Sequence, residues 1–326
     1  MTHTQTIGSF FDGTLEDPRF AFMEELIRIA EDDDRVVALD ADTSRRNLTR
    51  RFRDRFPDRF WDMGVAEQNL MGTTAGLAAA GRIPFAFAFA VFVSMRAVEP
   101  IRTSICYPRL PAKMIGAFAG LSNGKDGATH QSIEDISIMR SFPNLVVLSP
   151  SDSVLSAKIA RAAYEHPGPV YIRMEHEETP VIHDPAEPFT IGRGYLVREG
   201  RDVTLATYGI ALARAVGAAT ALAATGIDVE VLDMPSLKPF DADLLLASVR
   251  KTGALITLED HSVIGGLASI SSEALVKAGY VPRFRALGIQ DEFTESGNSD
   301  ELRVKFGVDV SAVVRAAHEL TTSPRQ

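Results

Sequence analysis

The feature that most limits what this chain can fold into is an alternation. Short apolar or β-branched runs lie at Arg35–Asp40, Phe85–Val91, Lys113–Ala119, Asn144–Leu148 and Pro169–Arg173. Longer amphipathic stretches separate them, at Phe20–Ala30, Glu67–Ala80, Ser132–Ser141 and Asp152–Tyr164. A strand buried on both faces reads as a continuous apolar run, and two parallel strands need a crossover segment, usually a helix. The spacing therefore predicts an α/β domain with a mainly parallel sheet. Ser151 or Asp152 is the expected N-cap of the last of these helices. The pattern fades between Glu175 and Gly194, where Pro180, Pro185 and Pro188 fall among acidic residues. It then resumes, with strands expected at Asp202–Thr207, Asp228–Asp233 and Ala254–Glu259 and helices at Ala211–Ala224, Asp241–Lys251 and Gly266–Ala278. The expectation is two consecutive α/β domains, 1–178 and 195–326, joined by a linker over 179–194. A length of 326 residues suits two domains.

Composition narrows the function. Lys and Arg total 34 against 43 Asp and Glu, a net charge of −9. That balance opposes general nucleic-acid binding, whose affinity rests on cations paired with phosphates. Arg45, Arg46, Arg50, Arg51, Arg53, Arg55 and Arg59 interleave with Phe52, Phe56 and Phe60. The acidic whole favours reading this segment as an amphipathic helix with a buried Phe face, interrupted at Pro57. The single cysteine, Cys106, excludes an internal disulfide and a cysteine-based zinc site, and fits a reducing cytoplasm. Met1–Asp12 lacks the pattern of a signal peptide, and the most apolar stretch, Ile83–Val93, is too short to cross a bilayer. A cytoplasmic protein with neither nucleic-acid nor membrane partners is expected. Phe11-Asp12-Gly13-Thr14-Leu15 is similar to a phosphatase loop, but Phe10 stands where the nucleophilic aspartate would be. His176-Glu177 has no second histidine four residues on, and the scattered histidines predict no metal site built by this chain alone. Gly265-Gly266, between a strand and a helix, is read as tight packing rather than an anion cradle.

Open parallel sheets gather ligands beyond the carboxyl ends of their strands. The informative loops are therefore Asp40–Asn47, the region of Phe92, Gly120–Gln131 and Met174–Glu178. Glu67 begins a helix rich in small residues, from Gly72 to Gly81. Taken alone it reads as a first-turn carboxylate interacting with the helix dipole. Phe85, Phe87 and Phe89 alternate with alanines as one aromatic strand face, and Phe92 breaks that alternation at the strand's end. The run Asp126-Gly-Ala-Thr-His130-Gln places an acceptor and an imidazole, a residue type suited to proton transfer, on a flexible loop.

Together these residues resemble a known family. Val65-Ala-Glu-Gln-Asn69, the Pro84–Val93 strand, Asp126–Gln131 and Leu258-Glu-Asp-His261 with Gly265-Gly266 look like the C-terminal half of transketolase. That half comprises the pyrimidine-binding domain and the small C-terminal domain. The match runs in order from about residue 20 to 315. The resemblance implies a thiamine diphosphate enzyme that moves a two-carbon ketol unit from a ketose to an aldose. The glutamate matching Glu67 hydrogen-bonds N1′ of the aminopyrimidine and favours the imino tautomer, whose N4′ takes the thiazolium C2 proton. Phe92 matches the ring that stacks on the pyrimidine, Phe89 a second wall of that pocket, and Asp42 an aspartate beside the cofactor. Asp126 and His130 match residues that contact sugar hydroxyls, the histidine also assisting proton transfer.

Departures from the family also carry implications. Gly-Asp-Gly followed by asparagine, which binds diphosphate through Mg²⁺ in the family, is absent from this sequence. The resemblance implies a split enzyme. A separate N-terminal subunit would supply the diphosphate and Mg²⁺ ligands, and an α2β2 assembly would be the closed form. A histidine, a serine and an arginine that hold sugar phosphate in ordinary transketolases correspond here to Phe118, Arg46 and His176. Arg46 can pair with phosphate, sulfonate or carboxylate, whereas Phe118 cannot donate to any of them. A non-standard sugar or sugar-like substrate is therefore expected. The alternatives are the β subunit of a 2-oxo acid dehydrogenase, an acyloin-forming enzyme like 1-deoxyxylulose-5-phosphate synthase, and a regulatory or scaffold subunit.

Overall fold

A computed structural model describes residues 14–322. The Met1–Asp12 reading and most of the Phe11–Leu15 motif lie outside the described residues. In chain order the elements begin with β1 (Leu15–Glu16), α1 (Pro18–Asp32), β2 (Val36–Asp40), α2 (Thr49–Arg55), β3 (Phe60–Asp62), α3 (Glu67–Ala79) and β4 (Ile83–Phe89). There follow α4 (Ala90–Met95), α5 (Val98–Pro100), β5 (Lys113–Ala117), α6 (Asp135–Arg140), β6 (Val146–Leu148), α7 (Ser153–Glu165), β7 (Val170–Met174) and β8 (Thr179–Pro180). The rest are β9 (Tyr195–Arg198), β10 (Val203–Thr207), α8 (Ala211–Ala223), β11 (Val229–Asp233), β12 (Ser236–Lys238) and α9 (Ala242–Thr252), then β13 (Ala254–Ser262), α10 (Leu267–Lys277), β14 (Arg283–Ile289), α11 (Ser299–Lys305) and α12 (Val310–Thr322).

The first sheet has seven strands in the order β12-β6-β7-β5-β4-β2-β3, the second five in the order β14-β13-β10-β11-β9. All pairings in the first are parallel except β12 with β6, and all in the second except β9 with β11. Two consecutive α/β domains with mainly parallel sheets are thus present. The central strands β2, β4, β5 and β7 are buried throughout, as strands covered by helices on both faces must be.

Local chemistry explains several elements. Phe85, Phe87 and Phe89 lie on one face of β4. Phe22 of α1 meets Phe85 and Phe87 edge to face, with centroids 6.4 and 6.2 Å apart. Ala86 and Ala88, on the other face, join the cluster that holds Leu70 and Ala75 of α3, where small side chains admit close helix–sheet approach. Asp152 caps α7 by accepting from Leu155 N at 2.8 Å. The arginine-rich segment is shorter and more broken than one helix. α2 ends at Arg55, Pro57 starts a 3₁₀ turn, and Phe60 opens β3. Pro57 has no amide hydrogen to continue the helix, and Phe60 finds its burial in the sheet edge instead.

Three features depart from the sequence expectation. β4 stops at Phe89 rather than running to Val91, and Ala90 begins the short helix α4 that carries Phe92. The stretch after Met174 is not wholly irregular: β8 pairs antiparallel with β1, and His183 is buried. β12, from the second half of the chain, completes the edge of the first sheet. One apolar cluster runs without a break from Val37 and Leu70 through Tyr171 to Leu232 and Leu267. Among the described residues no helix is long and apolar enough to cross a membrane.

Candidate active site

The carboxyl ends of β2, β4, β5 and β7 converge on one edge of the first sheet, and their loops shape two neighbouring cavities. The loop after β2 is folded around Asp40. Its carboxylate accepts from Thr43 N, Thr43 Oγ1 and Thr49 Oγ1 at 2.5, 2.8 and 2.7 Å. Burial pushes this acid up to about 6 despite those bonds. Asp42 then takes the left-handed conformation, φ 59°, and its N–H donates to Asp62 Oδ1 at 2.9 Å. Phe118, directly after β5, also has a positive φ, 58°, although it is bulky and buried. Such a residue costs on the order of 1–3 kcal/mol, which only a packed surrounding sustains.

The first cavity, of about 680 Å³, is lined by Asp42, Val65, Glu67, Phe89, Phe92 and His130, together with Arg46 and Asp126. Glu67 is the first residue of α3 and only 4% exposed. Its sole hydrogen-bond partner among the described residues is Arg96, whose Nη1 stands 3.4 Å from both carboxylate oxygens. That contact is long for a charged pair. Arg96 also lies over the Phe92 ring, 3.9 Å from its centroid. The Phe89 and Phe92 rings are 5.8 Å apart, and the His130 ring meets both at steep angles, 5.8 and 5.2 Å away. His130 Nδ1 shares a hydrogen bond with Thr129 Oγ1 at 2.9 Å. A half-satisfied buried carboxylate facing a cage of aromatic rings fits an aminopyrimidine, which offers a flat face and a ring nitrogen for Glu67. Among the described residues no group of three or more His, Cys, Asp or Glu side chains is placed to hold a metal.

The second cavity, of about 530 Å³, shares Arg46 and Asp126 with the first. These two residues, 80 positions apart, form an ion pair at 2.7 Å. The Arg46 guanidinium beside Asp126 holds that carboxyl below the usual range. The remaining lining includes Phe118, Ser122, Asn123, Lys125, His176 and Ser299. His176 stacks on Phe118, with centroids 4.3 Å apart and planes 21° apart. Burial and the Arg19 charge push its imidazole down to about 4, so it is neutral at physiological pH. Arg46 lies 5.7 Å from the Phe89 and Phe118 ring centroids, so the same guanidinium touches both cavities.

The residues singled out in the sequence therefore all line at least one of the two cavities. Sequence reasoning missed Arg96 and the residues from the second domain. Arg96 follows Phe92 by four positions, a helical neighbour, but the segment was expected to end a strand. Nothing in the local sequence around Ser299 signals a site in the other domain.

The pairing of this fold with this edge-of-sheet site defines a class, and comparisons with known proteins agree. Residues 17–181 match the model of the transketolase pyrimidine binding domain, and residues 192–313 that of the transketolase C-terminal domain. The chain belongs to the transketolase family. It is 43% identical over 303 residues to the 6-deoxy-6-sulfo-D-fructose transketolase subunit SqwH of Clostridium sp. (strain MSTE9), covering 93% of this chain and 94% of that one. It is 38% identical over 309 residues to a putative transketolase C-terminal section of Methanocaldococcus jannaschii, covering 94% and 97%. Among solved structures, a split gene transketolase described as an inactive beta4 tetramer superposes with a TM-score of 0.87 at 44% identity, over 94% of this chain and 99% of that one. The chain thus matches C-terminal subunits of split transketolases over nearly their whole length.

Proposed function

We propose that this chain is the C-terminal, β subunit of a two-component, thiamine diphosphate-dependent transketolase that works in the cytoplasm on an acid-ended sugar. The observation that carries this reading is Glu67: a buried carboxylate with one long contact, opening onto a cavity walled by Phe89 and Phe92. Bound thiamine diphosphate would supply the nucleophilic carbon and the electron sink for breaking the bond beside a ketose carbonyl. Glu67 would hold a proton at N1′ of the aminopyrimidine, in a setting where low dielectric strengthens the charged hydrogen bond. Phe92 would stack on that ring, with Phe89 and Asp42 bounding it. His130, set edge-on to the Phe89 and Phe92 rings, would move a proton to or from a substrate hydroxyl, and Asp126 would accept from a second one.

The diphosphate and its Mg²⁺ would be held by a separate N-terminal subunit, in an α2β2 assembly. Across the second cavity, Arg46 would read the acid group, with His176 and Phe118 as an uncharged wall. A sulfonate is favoured over a phosphate by two things: the loss of the usual donor at Phe118, and a relative whose name specifies a 6-sulfo sugar.

The test is reconstitution with an N-terminal transketolase subunit carrying Gly-Asp-Gly…Asn, with thiamine diphosphate and Mg²⁺. Ketol transfer from 6-deoxy-6-sulfofructose to glyceraldehyde 3-phosphate is expected to exceed transfer from xylulose 5-phosphate to ribose 5-phosphate. Equal turnover of the two pairs removes the case for a special acid pocket. Activity only with pyruvate plus an aldehyde, or only with a 2-oxo acid and a lipoyl acceptor, overturns the transketolase reading. Activity with none of these leaves the scaffold alternative standing.

A further inference from the structure

The second cavity is built by both domains. Asn298, Ser299 and Asp300, at the start of α11, face Arg46, Lys125 and His176 from the first domain. Three sets of contacts fix this wall. Gly297 N donates to Gly124 O at 3.0 Å. Gln131 Nε2 donates to both Gly124 O and Glu295 O, each at 3.0 Å. Arg303, buried beneath the wall, pairs with Asp260 at 3.2 Å, Asp300 at 3.0 Å and Glu177 at 2.7 Å.

The fit leaves no slack. A Cβ on Gly124 would lie 2.6 Å from Gly297 O and 3.0 Å from Ser299 Oγ, and one on Gly127, where φ is +77°, would fall on Ser296 Oγ. The loop that carries Asp126 and His130 is therefore packed against the segment Glu295–Ser299 as one unit. Arg303 pairs with Glu177 and Asp300, two of the three carboxylates in the cavity lining, and so weakens the repulsion they would offer an anionic substrate, while the third, Asp126, is paired with Arg46. Of the three second-domain residues in the lining, Ser299 alone carries a hydroxyl, and its Oγ lies close against Gly124 of the first domain.

Resting on the transketolase reading, we infer that Ser299 is a specificity-determining residue. The second domain forms the far wall of the substrate cavity, and the Ser299 hydroxyl meets the acid-bearing end of the sugar, remote from the reacting carbonyl. Arg46 and Ser299 would then grip that end from opposite domains. A site built to hydrogen-bond its substrate discriminates strongly against a ligand that cannot use the bond, and a larger side chain there would shorten the cavity.

The experiment uses the assembled two-subunit enzyme with thiamine diphosphate and Mg²⁺. With 6-deoxy-6-sulfofructose as donor, it compares kcat/KM for glyceraldehyde 3-phosphate, a longer acid-ended acceptor, with that for glycolaldehyde, which is too short to reach the wall. Ser299→Leu is expected to lower the long-to-short ratio about ten-fold or more, chiefly through KM, with Ser299→Thr recovering most of it. A ratio within about two-fold of wild type in Ser299→Leu, or an equal loss for both acceptors through kcat, would overturn the inference. If Ser299→Leu does not assemble, Ser299→Ala must still lower the ratio by a few-fold, on the scale of one lost hydrogen bond, or the idea fails. Wild-type turnover measured alongside separates the two failures. Its absence with every acceptor sinks the functional reading and this inference together, whereas normal turnover with an unmoved ratio sinks only Ser299.

Discussion

At Glu67 a carboxylate has been taken out of water and given one long contact to Arg96. Burying a charge with an imperfect partner lowers stability, so a position that keeps one is a candidate for function. The two effects can be separated. Glu67→Gln should leave the melting temperature of the isolated chain unchanged or raised, while cutting turnover of the reconstituted enzyme by about 10²-fold or more. A melting temperature lowered by many degrees, with turnover intact, would make Glu67 a structural residue. Phe92→Ala should weaken thiamine diphosphate binding to the assembled enzyme by about 1–3 kcal/mol, the loss of one stacked and buried ring. Calorimetry showing wild-type affinity would remove Phe92 from the pocket. Both residues were legible in the sequence because their neighbours form contiguous motifs. Arg96 was not, because its meaning depends on α4 turning it back over Phe92.

The linker and the cap of α7 meet in one buried cluster. His183 Nδ1 lies 3.0 Å from Asp152 Oδ2, and Nε2 lies 3.2 Å from Asp233 Oδ2 at the end of β11. Burial works against a charged imidazole here, but Asp152 and Asp233 outweigh it and hold the group up at about 10. The folded-state value thus lies above the ordinary one near 6.5. The stabilisation is fully present below about pH 6.5 and is lost as pH rises through about 10. His183→Ala should cost about 3–5 kcal/mol near pH 7, because it leaves two buried carboxylates without their cation. The gap between wild type and variant, followed by urea unfolding, should narrow steadily from pH 7 to 10. A pH-independent gap would mean that the cluster acts through packing alone. The sequence placed the helix and offered Asp152 as its cap, yet it read the proline-rich stretch as a linker. The partners of His183 lie 31 residues before it, at Asp152, and 50 residues after it, at Asp233, and no local pattern records such distances.

Across the whole molecule the two domains are joined by buried charge as well as by apolar contact. Arg173 of β7 is fully buried. It pairs with Asp135 at 3.3 Å and Glu175 at 2.9 Å, and donates to Asp260 O, on β13, at 2.7 Å. Arg173→Met should therefore destabilise the chain by several kcal/mol and broaden or split its thermal transition, because the shared core and the seam lose their common anchor. One sharp transition near the wild-type temperature would show that apolar contact alone holds the seam. At this scale the proposed chemistry also predicts that the purified chain binds thiamine diphosphate weakly and turns over nothing until an N-terminal subunit is added. Full activity of the chain by itself would contradict the division of labour.

The amino-acid sequence alone determined the strand–helix alternation, the parallel sheets and the motif residues, since periodicity and short motifs are local properties of the chain. It could not determine that β12 returns to the first sheet, that Arg46 and Asp126 join the two cavities, or that Ser299 faces the first domain. Those contacts depend on which distant surfaces packing brings together, and close packing is settled only when the whole chain has folded.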